Sequence, residues 1–185
     1  MIEFKDVSFS YDSKQVLNNF NLRINNGDRI CLWGDSGIGK TTILRLILGL
    51  EKITSGSLVS DNSKISVVFQ EDRLIPFKTA EENIRMFADS DKTDLIISSL
   101  GISEFKNKYP SELSGGMKRR TAIARALAVK AEIYIFDEAF TGLDKENISS
   151  AARLINEITE NKTVILVTHS ERSSKLLNCR MVYID

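Results

Sequence analysis

The chain has 185 residues, 42% of them apolar, and 25 basic residues against 25 acidic ones. That length holds one substantial core and is short for two ordinary domains, and the apolar fraction excludes a disordered chain. A balanced charge gives no support for nucleic-acid binding, and no apolar run approaches the ~18 residues that span a bilayer.

"MIEFKDVSFSY" at the start has no apolar h-region, so no signal peptide is expected. Residues 1–10 alternate loosely and read as a strand. Asn25-Asn26-Gly27-Asp28 is a turn signal between two apolar runs, which predicts an antiparallel β patch at the N-terminus. "RICLW" (Arg29 to Trp33) reads as a buried strand. Residues 40–50 carry Ile43, Leu44, Leu46, Ile47, Leu48 and Leu50 and read as a helix apolar on most faces. "TSGSLVSD" reads as a turn through Gly56, and "ISVVF" (Ile65 to Phe69) as a short β-branched strand.

The middle of the chain changes character. After Pro76, Thr79 and Glu82 form a capping box for a helix over "AEENIRMFA". "KTDLIISSL" predicts a second helix with Gly101 as its C′ residue. A third starts near Ser114 and runs through "RRTAIARALAV". Three helices without an intervening strand suggest an inserted helical subdomain. "IYIF" (Ile133 to Phe136) and "TVILVT" (Thr163 to Thr168) then read as buried strands separated by the helix "NISSAARLINEIT". Strand–helix–strand alternation implies an α/β fold with a parallel sheet covered by helices. Cys31 and Cys179 stand apart, without CxxC spacing, and read as reduced thiols.

"GDSGIGKT", from Gly34 to Thr41, matches GxxxxGK[ST] between a predicted strand and a predicted helix. In such a loop the backbone N–H groups of Gly34, Asp35, Ser36, Gly37, Ile38 and Gly39 can turn inward around phosphate oxygens. The helix start at Lys40, Thr41 and Thr42 adds its partial positive charge. Lys40 can reach the β- and γ-phosphates, and the Thr41 hydroxyl can ligate Mg²⁺. A chance Gly-rich turn rarely meets all these conditions. The motif by itself says only nucleoside triphosphate.

"IYIFDE" sets Asp137 and Glu138 at the C-terminal end of an apolar strand, where ligands of open α/β sheets bind. There Asp137 would hold Mg²⁺, and Glu138 would orient or deprotonate an attacking water. Glu71-Asp72 and Glu81-Glu82 are also adjacent acidic pairs, but they lack the apolar run and read as solvated loop and helix-start charges.

"LSGGM" (Leu113 to Met117) precedes Lys118, Arg119 and Arg120. A serine and two glycines at a helix start can present N–H groups to an anion, yet no nearby sequence supplies one. The three cations oppose the helix dipole. Two readings stay open for them: they raise the local field for a phosphate, or they form a solvated basic face.

With the phosphate loop, Gln70, LSGGM, IYIFDE, Asp144 and His169 in this order, the chain resembles the ATP-binding-cassette (ABC) ATPases over nearly its whole length. The resemblance implies a phosphate-loop NTPase fold of ABC type. It implies a RecA-like core at about 1–70 and 129–185, and a helical subdomain at about 71–128. It implies that Tyr11 stacks on adenine, that Gln70 contacts Mg²⁺ and the attacking water, and that His169 contacts the γ-phosphate. A lone histidine is more often structural, but this one follows "TVILVT" at a strand end. Ser114, Gly115 and Gly116 would complete the ATP site of a second copy or a related subunit, with Asp144 in the loop that touches it. ATP with Mg²⁺, a transmembrane permease subunit and the cytoplasmic face of a membrane are implied in the same way.

The segment after Gln70, "EDRLIPFKTAEENI", is similar to ATPase subunits of importers for nitrate, taurine and sulfonates; exporter subunits are about as compatible with the motifs. Three positions depart from the family pattern. Met117 stands where glutamine is usual, Ser170 where aspartate is usual, and "MVYID" closes the chain without the further helices many relatives carry. ABC ATPases of DNA repair carry coiled coils or zinc modules between the Gln70 and Ser114 positions, and none is present here. A non-hydrolysing binding module is disfavoured by Glu138 and His169.

Overall fold

The computed structural model describes residues 1–12, 14–61 and 63–184. Two sheets carry the fold. β1 (Ile2–Tyr11), β2 (Lys14–Ile24) and β4 (Ser55–Ser60) form an antiparallel sheet in the order β2-β1-β4. β3 (Arg29–Trp33), β5 (Ile65–Val68), β6 (Ile133–Asp137), β7 (Thr163–Val167) and β8 (Arg180–Tyr183) form a parallel sheet in the order β5-β6-β7-β3-β8.

Successive strand residues point to opposite faces, and this alternation divides the core in two. Ile30, Leu32, Ile133, Ile135, Ile165 and Val167 face one cluster. They pack there with the antiparallel sheet and with α1 (Lys40–Ile47). Cys31, Tyr134, Phe136, Val164 and Leu166 face the other. That second cluster takes in α5 (Lys145–Ile158) together with the helical segment α2 (Ala80–Arg85), α3 (Thr93–Ser99) and α4 (Gly115–Leu127). α6 (Glu171–Leu176) precedes β8. Burial on both faces explains why β6 and β7 are continuous apolar runs rather than alternating ones.

The local signals for the middle helices hold. Thr79 Oγ1 accepts from Glu82 N while Glu82 Oε2 accepts from Thr79 N, and Gly101 ends α3 with φ +62°. Cys31 and Cys179 are free thiols. Burial pushes the Cys179 thiol up to about 12, which leaves it protonated and unreactive at neutral pH.

One expectation changes, and one strand was not anticipated. Ser55–Ser60 is a strand, not a turn. Gly56 has φ +86° within it, and a Cβ there would lie 2.3 Å from Asp6 O, at the bulge where β1 shifts register. Glycine is required there by the close approach of a neighbouring backbone, a use of glycine that looks like a turn in sequence. The C-terminal residues also form a strand that pairs with β3, Trp33 opposite Tyr183. Four residues of mixed exposure carried too little periodicity to be read as one.

Candidate functional site

Because β3, β5, β6 and β7 run parallel, their C-terminal ends emerge at one edge of the sheet. That edge holds a cleft of about 630 Å³, lined among others by Lys40, Thr41, Gln70, Asp137, Glu138 and His169. Tyr11, Ser36, Gly37, Gly39 and Thr42 also line it. Residues scattered across most of the sequence meet there because strand polarity is shared, not because they are near in the chain.

The phosphate loop joins β3 to α1. Gly39 is the N-cap residue of α1 with φ +112° and offers no side chain to cap it, so the first N–H groups of the helix have no side-chain partner. A Cβ at Gly39 would lie 3.1 Å from Val16 Cγ1 and 3.2 Å from Leu17 Cδ2, which ties the tight loop to β2. Lys40 is 6% exposed, and its Nζ donates to Gly34 O at 2.7 Å and Asp35 O at 2.8 Å. Loop carbonyls thus hold the ammonium beside the cleft.

Asp137, the last residue of β6, is buried. Burial, and then the neighbouring Glu138 charge, pushes its carboxyl above the usual range, while Arg119 and Lys40 pull the other way. Glu138 follows with φ +48°, a conformation that costs a non-glycine residue about 1–3 kcal/mol and that clusters at functional sites. Its N–H donates to Val167 O at 2.9 Å, which fixes the turn against β7. Oε2 accepts from Thr168 Oγ1 at 3.4 Å, whereas Oε1 is buried with no hydrogen-bond partner among the described residues. His169 Nε2 lies 3.8 Å from that atom, beyond hydrogen-bond range, and its side chain is 54% exposed.

Tyr11 stands on the rim. Its ring meets Phe9 edge-on at 4.8 Å, and its hydroxyl accepts from Arg45 Nη1 and donates to Glu51 Oε1. Lys14, Val16 and Thr141 line the cleft as well, and the sequence reading missed them. Lys14 pairs with Tyr11 where β1 and β2 join, which sets it beside the cleft.

Gln70 follows β5, and its segment is held by α4. Arg119 Nη1 donates to Phe69 O at 2.8 Å, Nη2 donates to Gln70 O, and Arg125 donates to Asp72 O and Arg73 O. This alters the solvated-face reading of the cation run. Arg119 is buried, and the Arg120 guanidinium donates to Leu100 O and lies 5.0 Å from the Phe105 ring centroid, so these two do not form a solvated face.

Ser114, Gly115 and Gly116 do not line the cleft; Ser114 and Gly115 are exposed at the start of α4. Ser114 Oγ caps the helix by accepting from Met117 N at 3.3 Å. Met117 packs on the core cluster, which accounts for an apolar residue at that position. A Cβ at Gly116 would lie 3.4 Å from Gly142 O, so this segment abuts the loop that carries Asp144. Asp144 caps α5, accepting from Asn147 N at 2.9 Å, and that bond holds its carboxyl below the usual range. Ser170, in place of the usual aspartate, caps α6 by accepting from Ser173 N.

The donor set of the cleft suits Mg²⁺ bound with phosphates. It offers several hydroxyls, Thr41 among them, the Gln70 amide and the Asp137 and Glu138 carboxylates, all oxygen ligands. Among the described residues no group of three or more His, Cys, Asp or Glu could hold a metal by itself.

A family model described as ABC transporter matches residues 17–141. The glutamine transport ATP-binding protein GlnQ of Escherichia coli is 37% identical over 211 residues, covering 100% of this chain and 88% of that protein. The aliphatic sulfonates import ATP-binding protein SsuB 2 of Pseudomonas syringae is 37% identical over 174 residues, 90% of this chain and 75% of that one. Among solved structures, the dimeric post-hydrolysis state of the ATP-binding cassette MJ0796 bound to ADP and Pi superposes with a TM-score of 0.84 at 32% identity. It covers 100% of this chain and 94% of that one.

Proposed function

This chain belongs to the ABC transporter family, and we infer its working cycle from that premise. It is an ATP-binding and ATP-hydrolysing subunit that couples nucleotide-driven dimerisation to solute transport through a separate membrane subunit. The observation that carries the residue-level reading is the cleft. Lys40, Gln70, Asp137, Glu138 and His169 converge there, while Ser114 to Gly116 stay outside it.

In this reading the N–H groups of residues 34–39 and the start of α1 cradle the ATP phosphates. Lys40 leaves the Gly34 and Asp35 carbonyls for the β- and γ-phosphates, exchanging neutral acceptors for charged ones. Tyr11 stacks on the adenine. Thr41, Gln70 and Asp137 would hold Mg²⁺, which supplies charge neutralisation on the phosphates. Glu138 accepts the proton of the attacking water, and Gln70 orients that water. His169 donates to the γ-phosphate and holds it against Glu138. The other side of that phosphate is met by the exposed α4 start of a second cassette, identical or related. ATP then favours the closed pair over the open one, and loss of the γ-phosphate reverses the preference.

Among the described residues no helix is long and apolar enough to cross a membrane. Attachment to the cytoplasmic face then falls to the permease subunit. A groove of about 270 Å³ beside the cleft, lined by Leu44, Leu48, Leu50, Phe69 and Arg73, and the 77% exposed Phe77 suit that contact. The transported class is a small polar solute taken inward, as the names of the glutamine, arginine and sulfonate relatives suggest. The nitrate, taurine and sulfonate group is the branch favoured by the segment after Gln70. The residues about 71–128 serve as the helical subdomain that presents α4.

Purification of the tagged chain from detergent-extracted membranes tests the reading. A multi-span protein should copurify, and its presence should raise phosphate release from ATP. Phosphate release at background level with that partner present would overturn it.

A further inference from the structure

Arg119 sits near the N-terminal end of α4, where a cation works against the helix dipole, and its side chain is 8% exposed. Both costs call for compensation, and residues 69–72 supply it. Nη1 and Nη2 donate to the carbonyls of Phe69 and Gln70, and Nε lies 3.2 Å from Asp72 Oδ1. The planar fork of arginine suits these two consecutive carbonyls, where a lysine would offer one point charge. Arg125, further along α4, adds bonds to Asp72 O and Arg73 O. β5 ends at Val68. Beyond it, the backbone that carries Gln70 into the cleft is fixed by α4 rather than by the sheet ladder.

We propose that Arg119 is a positioning residue for Gln70: its bonds to the Phe69 and Gln70 carbonyls make the place of the Gln70 side chain in the nucleotide cleft follow the position of α4. The same helix begins with the exposed Ser114 and Gly115, outside the cleft. A phosphate held there by a second cassette moves or steadies a rigid rod whose next turn grips Gln70. Nucleotide in one cleft thereby reaches the water-orienting group in the other, and Arg119 is the link that carries the coupling between the two sites. The proposal rests on the reading of Gln70 and of the shared site given above.

The test is steady-state ATP hydrolysis by the full chain in its transporter complex, for the parent, Arg119→Met, Arg119→Lys, Gln70→Ala and the double variant Arg119→Met/Gln70→Ala. Arg119→Met should lower kcat about ten-fold with KM for ATP within about two-fold, the pattern of a lost transition-state interaction. Its Hill coefficient for ATP should fall to 1, and Arg119→Lys should recover part of both. The double variant should be no slower than Gln70→Ala, because the two residues act as one unit. Parent kcat and Hill coefficient in Arg119→Met, or effects that multiply in the double variant, overturn the proposal. Gln70→Ala at the parent rate would instead remove the reading of the site beneath it. Should Arg119→Met fail to fold, Arg119→Gln, which keeps a single amide donor, carries the same comparison.

Discussion

At the start of α1, the phosphate loop faces a cleft whose far wall comes from β5, β6 and β7 of the same chain. At the start of α4, Ser114 and Gly115 face solvent. The two helix starts share small residues and a helix dipole, although Ser114 caps the second and no side chain caps the first. What differs is the surroundings. Lys40, Asp137, Glu138 and His169 ring the first, whereas the second has only the neighbouring loop of Gly142 and Asp144. Anion-binding geometry at a helix end is common; reactive groups placed around it are what make a catalytic centre. The first helix start is therefore the larger part of a cleft, and in the function proposed above the second contributes to the cleft of another cassette.

That contrast can be broken at either end. The largest effect belongs to the complete side. Glu138→Gln should retain ATP binding and lower turnover by roughly 10²–10⁴-fold, as expected for loss of a general base, with an ATP-bound dimer accumulating in sedimentation. Hydrolysis at the parent rate removes Glu138 from that role.

At the incomplete side, Ser114→Arg should leave nucleotide affinity of the single chain within about two-fold, since the residue lies outside the cleft. It should abolish ATP-dependent dimerisation. Sedimentation that responds to ATP as the parent does would erase the contrast between the two helix starts.

A smaller effect sharpens the picture of the rim. Tyr11→Ala should weaken ATP binding about ten-fold, the scale of one base–aromatic stack, without altering the dimer formed at saturating ATP. Titration with a fluorescent ATP analogue reads it.

The smallest concerns stability. The Asp137 carboxyl is raised above its usual range by burial and by Glu138. A raised folded-state value means that the folded protein holds this proton more tightly than the unfolded chain. The ionised form therefore costs stability at pH above the folded-state value, and the cost vanishes below the unfolded one. Asp137→Asn should raise Tm at neutral pH by a few degrees in the absence of nucleotide, while abolishing Mg²⁺-dependent turnover. The gain in Tm should shrink as pH falls; a gain that persists unchanged in acid would refute the electrostatic origin.

Much of this was legible in the residues. β3, β6 and β7 announce themselves as apolar runs because both faces of a parallel strand are covered, and the capping box at Thr79 and Glu82 forms as its spacing predicts. β4 and β8 escaped for opposite reasons. In β4, Gly56 mimics a turn while answering a clash with the β1 bulge, and in β8 four half-exposed residues carry no pattern. The cation run escaped because burial of a guanidinium depends on carbonyls distant in sequence: Arg119 meets residues 69–72 only after α4 packs beside β5.

The sequence by itself determined the chemistry of each segment: a glycine loop before a helix, an acidic pair after an apolar run, a serine cap before two glycines. These are local because backbone freedom, helix capping and strand periodicity act over a few residues. Only the tertiary structure decided which segments meet. Parallel strand polarity brings Gln70, Asp137 and His169 to one edge, the fold of the helical segment leaves Ser114 outside it, and the close approach of α4 turns Arg119 from a surface charge into the tether of Gln70. Such placements follow from the order of strands and from which polar groups must be satisfied on burial, and neither is written in any short stretch of chain.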